Sequence, residues 1–293
     1  MLNLFGYYTH PEQLVGHAYL KEALAFIEEP ASWKDAKTPS KEQLAPILNI
    51  IKNDGHLAYN YAITVIKGRF PEGEAAIIKD ATHIVSYATE ILAKDPDWSY
   101  PNGRWPEAES TILKHSHMII NYIMNVRKTQ WPEAENFIAQ DAVTSYQYAE
   151  KILKHRFEKG ESIIINDPTD PKHRTNCWSV QYAEEILAKD PKWPHKSGRW
   201  PEAEPSILKF ARDSYEYANK ILANDPDWTK EKGHENGRWP EAEAVLLKDK
   251  DSTWAKAYAQ KVLKHRWPEL EPKLKKEGGM PWIMYANQFN IEV

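Results

Sequence analysis

A seven-residue phrase, Gly-Arg-Trp-Pro-Glu-Ala-Glu, occurs three times in this chain, at 103–109, 198–204 and 237–243. Altered copies stand at 68–74 (GRFPEGE), 129–135 (TQWPEAE) and 265–271 (HRWPELE). Self-similarity at a fixed period marks a repeat architecture, and it constrains the fold more tightly than composition can. Two markers give the period. One is the aromatic of the phrase: Phe70, Trp105, Trp131, Phe157, Trp200, Trp239 and Trp267. The other is a tyrosine, usually followed by alanine: Tyr61, Tyr87, Tyr122, Tyr148, Tyr182, Tyr217, Tyr258 and Tyr285. The two sets alternate strictly. The step from aromatic to tyrosine is most often 17 residues, and the uninterrupted step from tyrosine to aromatic is 9. The unit is therefore 26 residues long, and the longer steps are the same unit carrying insertions.

Each half of the unit reads as a short helix. Proline follows the aromatic at 71, 106, 132, 201, 240 and 268, and the first helical position is where its missing N–H is no loss. The glutamates after it fall in the first turn, where the helix dipole favours negative charge. Apolar pairs such as Ile77/Ile78 and Ile112/Leu113 follow on one face. The second half carries Tyr-Ala and then apolar residues four and five positions on, as in Tyr87, Ala88, Ile91 and Leu92. That spacing is helical, not the alternation of a strand. Gly68, Gly103, Gly198 and Gly237 stand where the chain reverses and a permissive backbone is needed. The aromatic is expected to wedge between adjacent helix pairs, and the arginine beside it to pair with a glutamate of a neighbouring unit. Short helix pairs bury their faces only by stacking. The expected fold is all-α: an α-solenoid of about eight stacked helix pairs over 42–293, preceded over 1–41 by an N-terminal capping helix and a linker.

Three insertions open alike: DPDW at 95–98, DPKW at 190–193 and DPDW at 225–228. Asp-Pro initiates turns, and loops on a repeat scaffold are common binding elements. The candidate partner-binding residues are Asp95, Asp97, Trp98, Asp190, Trp193, Asp225, Asp227 and Trp228. The competing reading is that each tryptophan packs back on the scaffold. A further insertion spans 166–175.

Catalytic signatures are missing. There is no phosphate-binding loop, G-x-S-x-G or H-E-x-x-H. Of eleven histidines only His115 and His117 are close in sequence, and two residues apart on a helix they face different ways. No metal and no cofactor are expected, and the chain is not expected to be an enzyme. Cys177 is the only cysteine, so no internal disulfide forms. The start shows neither a signal-peptide pattern nor, anywhere, a membrane-spanning run. A net charge of -4 argues against strong nucleic-acid binding. The triplets Lys154-His155-Arg156 and Lys264-His265-Arg266 keep that reading open as an alternative.

The run Lys67-Gly68-Arg69-Phe70-Pro71-Glu72-Gly73-Glu74, with the Tyr-Ala helix after it, resembles helix-pair repeat proteins encoded by bacteriophages, a family without an established common activity. The resemblance covers about 42–289. It implies a phage origin and a place in the cytoplasm of the bacterial host. The function expected is a scaffold that binds a host protein, defensive or regulatory, and inhibits or redirects it. A virion or assembly component, with self-association, is the structural alternative.

Overall fold

The computed structural model of the protein describes residue 45, residues 48–167 and residues 177–292. The expected capping helix, its linker and most of the 166–175 insertion lie outside the described residues. Every regular element among the described residues is helical and none is a strand. The chain divides into two compact units, the first ending at Ala134 and the second beginning at Glu135.

In the first unit, helices Pro71–Asp80 and Ile84–Glu90 form one pair, and Pro106–Ile112 and Ser116–Tyr122 the next. The second unit repeats the scheme, for example with Pro240–Lys248 and Thr253–Tyr258. In these copies the phrase aromatic is the N-cap, with φ near -125° at Phe70, Trp105 and Trp239. That extended backbone is what a following proline enforces. Of each apolar pair the first member is buried: Ile77, Ile112, Ile207 and Leu246 are at most 1% exposed. The second member is half-buried.

The tyrosine ties the unit together. The backbone N–H of the phrase aromatic donates to its hydroxyl: Phe70 to Tyr87 at 2.8 Å, Trp105 to Tyr122 at 2.7 Å, Trp200 to Tyr217 at 2.7 Å and Trp239 to Tyr258 at 2.6 Å. These N–H groups are buried, and a buried donor without a partner costs about 1–3 kcal/mol. The tyrosine ring then lies against the aromatic of the following copy. Centroid distances are 5.2 Å for Tyr87–Trp105, 5.2 Å for Tyr182–Trp200 and 5.3 Å for Tyr217–Trp239. One side chain thus satisfies its own repeat and packs on the next.

The arginine departs from expectation. Arg69 donates two hydrogen bonds to Glu74, Arg104 to Glu109, Arg156 to Glu161 and Arg238 to Glu243. Each partner lies five residues on, in the same copy, not in a neighbouring unit. The reason is local: the arginine precedes the N-cap, so its side chain reaches the carboxylate in the first turn of the helix that follows. The tyrosine hydroxyl donates to the same carboxylate in several copies, as from Tyr87 to Glu74 at 3.2 Å and from Tyr182 to Glu161 at 3.0 Å.

Two kinds of link join tyrosine to the next aromatic. Short links wind into a π-helix, such as Ile123–Arg127 or Ala259–Leu263, and end on a left-handed lysine: Lys67, Lys128, Lys154 or Lys264. Long links tighten into a 3-10 turn, such as Leu92–Lys94, and run through the Asp-Pro insertion. They end on a glycine with positive φ, Gly103, Gly198 or Gly237. A Cβ on Gly103 would stand 1.9 Å from the Ala88 carbonyl oxygen. Gly68 is the exception to the glycine expectation. Lys67 before it takes the left-handed conformation, and a Cβ on Gly68 would make only an ordinary contact, 3.8 Å from Ile66 Cγ2.

Candidate interaction surface

The three Asp-Pro loops are built alike. The first aspartate shapes the turn with its carboxylate: Asp95 accepts from the N–H of Asp97, Asp190 from that of Lys192, and Asp225 from those of Asp227 and Trp228. The loop tryptophan then folds back and donates its indole N–H to a backbone carbonyl. Trp98 donates to Arg104 at 2.9 Å, Trp193 to Arg199 at 2.9 Å and Trp228 to Arg238 at 3.0 Å. The arginine of the preceding phrase covers one face of each indole: Arg69 over Trp98 at 4.6 Å, Arg156 over Trp193 at 4.6 Å and Arg199 over Trp228 at 4.3 Å. A guanidinium already held by a carboxylate thus makes a cation–π contact on the ring, worth about 0.5–2 kcal/mol depending on desolvation.

The loops differ in what they leave open. Trp98 and Trp193 are half-buried, whereas Trp228 is 7% exposed. The third loop is longer, and it brings His234 flat against the other face of Trp228, with ring centroids 4.0 Å apart. Asp225 is 2% exposed and also accepts from the Ser197 hydroxyl at 2.8 Å. Burial pushes its carboxyl up, but the N–H of Trp228, the Ser197 hydroxyl and the N–H of Asp227 outweigh it and hold the carboxyl below the usual range. Of the eight candidate residues, Asp225 and Trp228 are therefore interior and Asp95 and Asp190 hold turns. Asp97 and Asp227 are exposed, and Asp227 pairs with Lys230 at 3.2 Å. Beside the second loop, Asp190 and Pro191 help to line an open cleft of about 350 Å3 with Glu150, Lys154, Glu185 and Lys189. Its walls carry both signs of charge.

The phrase aromatics Phe70, Trp105, Trp131, Phe157, Trp200, Trp239 and Trp267 are all at most 7% exposed. The basic triplets are engaged as well. Arg156 and Arg266 are bound to Glu161 and Glu271, and His155 and His265 donate from Nδ1 to the carbonyl of the residue after each.

One pair escaped the sequence reading. His56 Nδ1 and His83 Nε2 are 2.9 Å apart, and Tyr59 stacks on His83 at 4.5 Å. Burial, then the neighbouring His56, lowers the His83 pKa; Asp80 and Asp54 oppose the shift. The separation of 27 residues, close to one period, was the available signal. His115 and His117 have ring centroids 6.1 Å apart. Among the described residues no three of His, Cys, Asp and Glu stand together as a metal site would need, and no helix is long and apolar enough to cross a membrane.

Comparison with protein families, with characterised proteins and with solved structures found no match to this chain.

Proposed function

We propose that this chain is a non-enzymatic protein-binding scaffold. Its helix pairs stack as an α-solenoid of about eight units, and the Asp-Pro loops dock a host protein. On the phage resemblance, the setting is the cytoplasm of an infected bacterium, and the effect is to inhibit or redirect that protein. The observation that carries the reading is the state of Trp98 and Trp193. Each is pinned by an indole hydrogen bond and an arginine on one face, yet each stays half-exposed. A large aromatic that is ordered before binding loses little entropy when a partner covers it, and such residues dominate interface energies. Trp228, already covered by Arg199 and His234, serves as a packing residue.

The test is affinity capture by the tagged protein from bacterial lysate, with and without nuclease, compared with a Trp98→Ala/Trp193→Ala variant. One stoichiometric protein retained after nuclease and lost in the variant, with helicity intact, is the expected result. A partner that binds the variant equally well would remove the loops from the interface. The alternative of an assembly component is favoured by one feature, the exposed apolar side chains Met280, Ile283 and Met284. Nucleic-acid binding has less support, because Arg156 and Arg266 are both neutralised by glutamates.

A further inference from the structure

Successive helix pairs meet through a recurring joint. The side chain two positions before the marker tyrosine of one pair lies on the side chain four positions before the marker of the next: Tyr146 against Trp178, Tyr215 against Trp254, and Tyr59 on His83. At two of these joints the side chain five positions before the marker adds a contact to the same ring. Arg212 stands over Trp254, 5.7 Å from the ring centroid, and His56 Nδ1 lies 2.9 Å from His83 Nε2. Arg212 sets a permanent cation on an indole, and that contact is attractive whatever the pH. At the His56 joint both members titrate, so a cation there meets a ring that can itself become a cation.

The hydrogen bonds fix the charge state that the joint holds. The Asn60 amide nitrogen, a donor only, lies 3.0 Å from His56 Nε2, so that nitrogen accepts. His56 then carries its proton on Nδ1 and donates it to His83 Nε2. Both rings are neutral in this chain of bonds. A proton added at His83 Nε2 would face the His56 N–H, and one added at His56 Nε2 would face the Asn60 N–H. Other groups act on the pair as well. The charges of Asp80 and Asp54 favour protonation, and Tyr59 covers the His83 ring and donates its hydroxyl to Glu90 at 3.0 Å. On the following pair His115 and His117 line a cleft with Asp80 and Thr82. We propose that the His56–His83 contact is an acid-sensitive latch, which fastens helix Gly55–Tyr61 to helix Ile84–Glu90 while both rings are neutral and releases it on protonation. This is independent of the reading of the Asp-Pro loops. Burial and His56 outweigh the two aspartates and hold the His83 pKa below 6.5. A base with a lowered folded pKa contributes stability that is complete above 6.5 and is lost as the pH falls toward the folded value.

Hydrogen exchange of the whole chain, corrected for intrinsic rates, tests this between about pH 5 and 7.5, where histidine changes charge. Protection of the Gly55–Tyr61 amides should fall as the pH drops below 6.5, by up to about tenfold per pH unit for one proton. Protection of the Pro240–Lys248 amides should hold over the same range. In NMR titrations His83 should ionise at lower pH than the histidines of the urea-unfolded chain. His56→Gln keeps a donor toward His83 but cannot become a cation. It should raise the His83 pKa and flatten the pH dependence of protection, with unchanged circular dichroism at neutral pH. His83→Gln, made separately, should flatten that dependence too. Protection of Gly55–Tyr61 that is indifferent to acid in the unaltered chain overturns the proposal. So does an acid loss that survives both substitutions, or one that Pro240–Lys248 shares equally.

Discussion

The hydroxyl of Tyr87 accepts the N–H of Phe70 and donates to Glu74, and the same carboxylate is gripped by Arg69. Removing that one oxygen therefore leaves a buried N–H without a partner. Tyr87→Phe should lower stability by about 1–3 kcal/mol, read as a drop in urea midpoint, while the helical signal of the folded protein stays the same. A second residue-scale rule concerns the third helical position. Phe70 is followed by Gly73 and Phe157 by Gly160, whereas Trp105, Trp131, Trp200 and Trp239 are followed by alanine. A Cβ on Gly73 would lie 2.5 Å from Phe70 Cδ1, and one on Gly160 2.5 Å from Phe157 Cδ1. The altered copy GRFPEGE is thus a compensated pair of changes, with ring placement and side-chain size moving together. Gly73→Ala should cost about 1–3 kcal/mol by overpacking. Adding Phe70→Trp should recover most of that loss, a coupling that a double-mutant cycle measures directly. Additive losses in that cycle would disprove the pairing.

At the scale of elements, the two links end their helices by different chemistry. Lys128 sits at φ 59° after the π-helix Ile123–Arg127. A side-chain-bearing residue pays about 1 kcal/mol or more for that region, which glycine enters freely. Lys128→Gly should therefore leave stability unchanged or raise it by up to about 1 kcal/mol. Gly103→Ala should do the reverse and lower it by about 2 kcal/mol or more, because the new Cβ meets the Ala88 carbonyl at a site with positive φ. Equal responses of the two sites in urea titrations would show that the link types are energetically equivalent. These links also mark how far the sequence could be read. The period, the Tyr-Ala helix and the all-helical class were legible, because each leaves a residue-type signature at fixed spacing; the proline opens its α-helix at 71, 106 and 240, but at 201 and 268 it stands in a turn ahead of helices Glu204–Ile207 and Glu271–Glu277. The π-helical ends were not legible. A helix whose last bonds widen from four residues to five keeps the same apolar face, and Lys67 in the left-handed role has no sequence mark while Gly68 beside it suggests another answer. The candidate loops were legible as insertions. Their inner division into turn-holding Asp95 and Asp190, interior Asp225 and Trp228, and half-exposed Trp98 and Trp193 depends on His234 and on arginines 29 to 37 residues upstream, contacts that only packing reveals.

Across the whole molecule, repetition multiplies one titration. Burial pushes the hydroxyls of Tyr87, Tyr122, Tyr182, Tyr217 and Tyr258 upward from 10.0, against the pull of the backbone N–H that each accepts. The linkage then has a definite sign. Below pH 10 the tyrosines hold their protons in both folded and unfolded chains, and their contribution to stability is complete. Above it the unfolded chain releases protons that the folded chain keeps, so stability falls with rising pH until the folded hydroxyls themselves ionise. Each tyrosine adds at most about 1.4 kcal/mol per pH unit to that slope. Because five share the same environment, the slopes add in one direction. The urea midpoint should be flat between pH 8 and 9.5 and fall steeply from about pH 10 upward, and tyrosinate absorbance at 295 nm should lag behind that of the urea-unfolded chain. Tyr87→Phe should reduce the alkaline slope by about one proton's worth while lowering stability at neutral pH. If the absorbance of folded and unfolded chains rose together near pH 10, the hydroxyls would not be shielded as the buried N-cap bonds require.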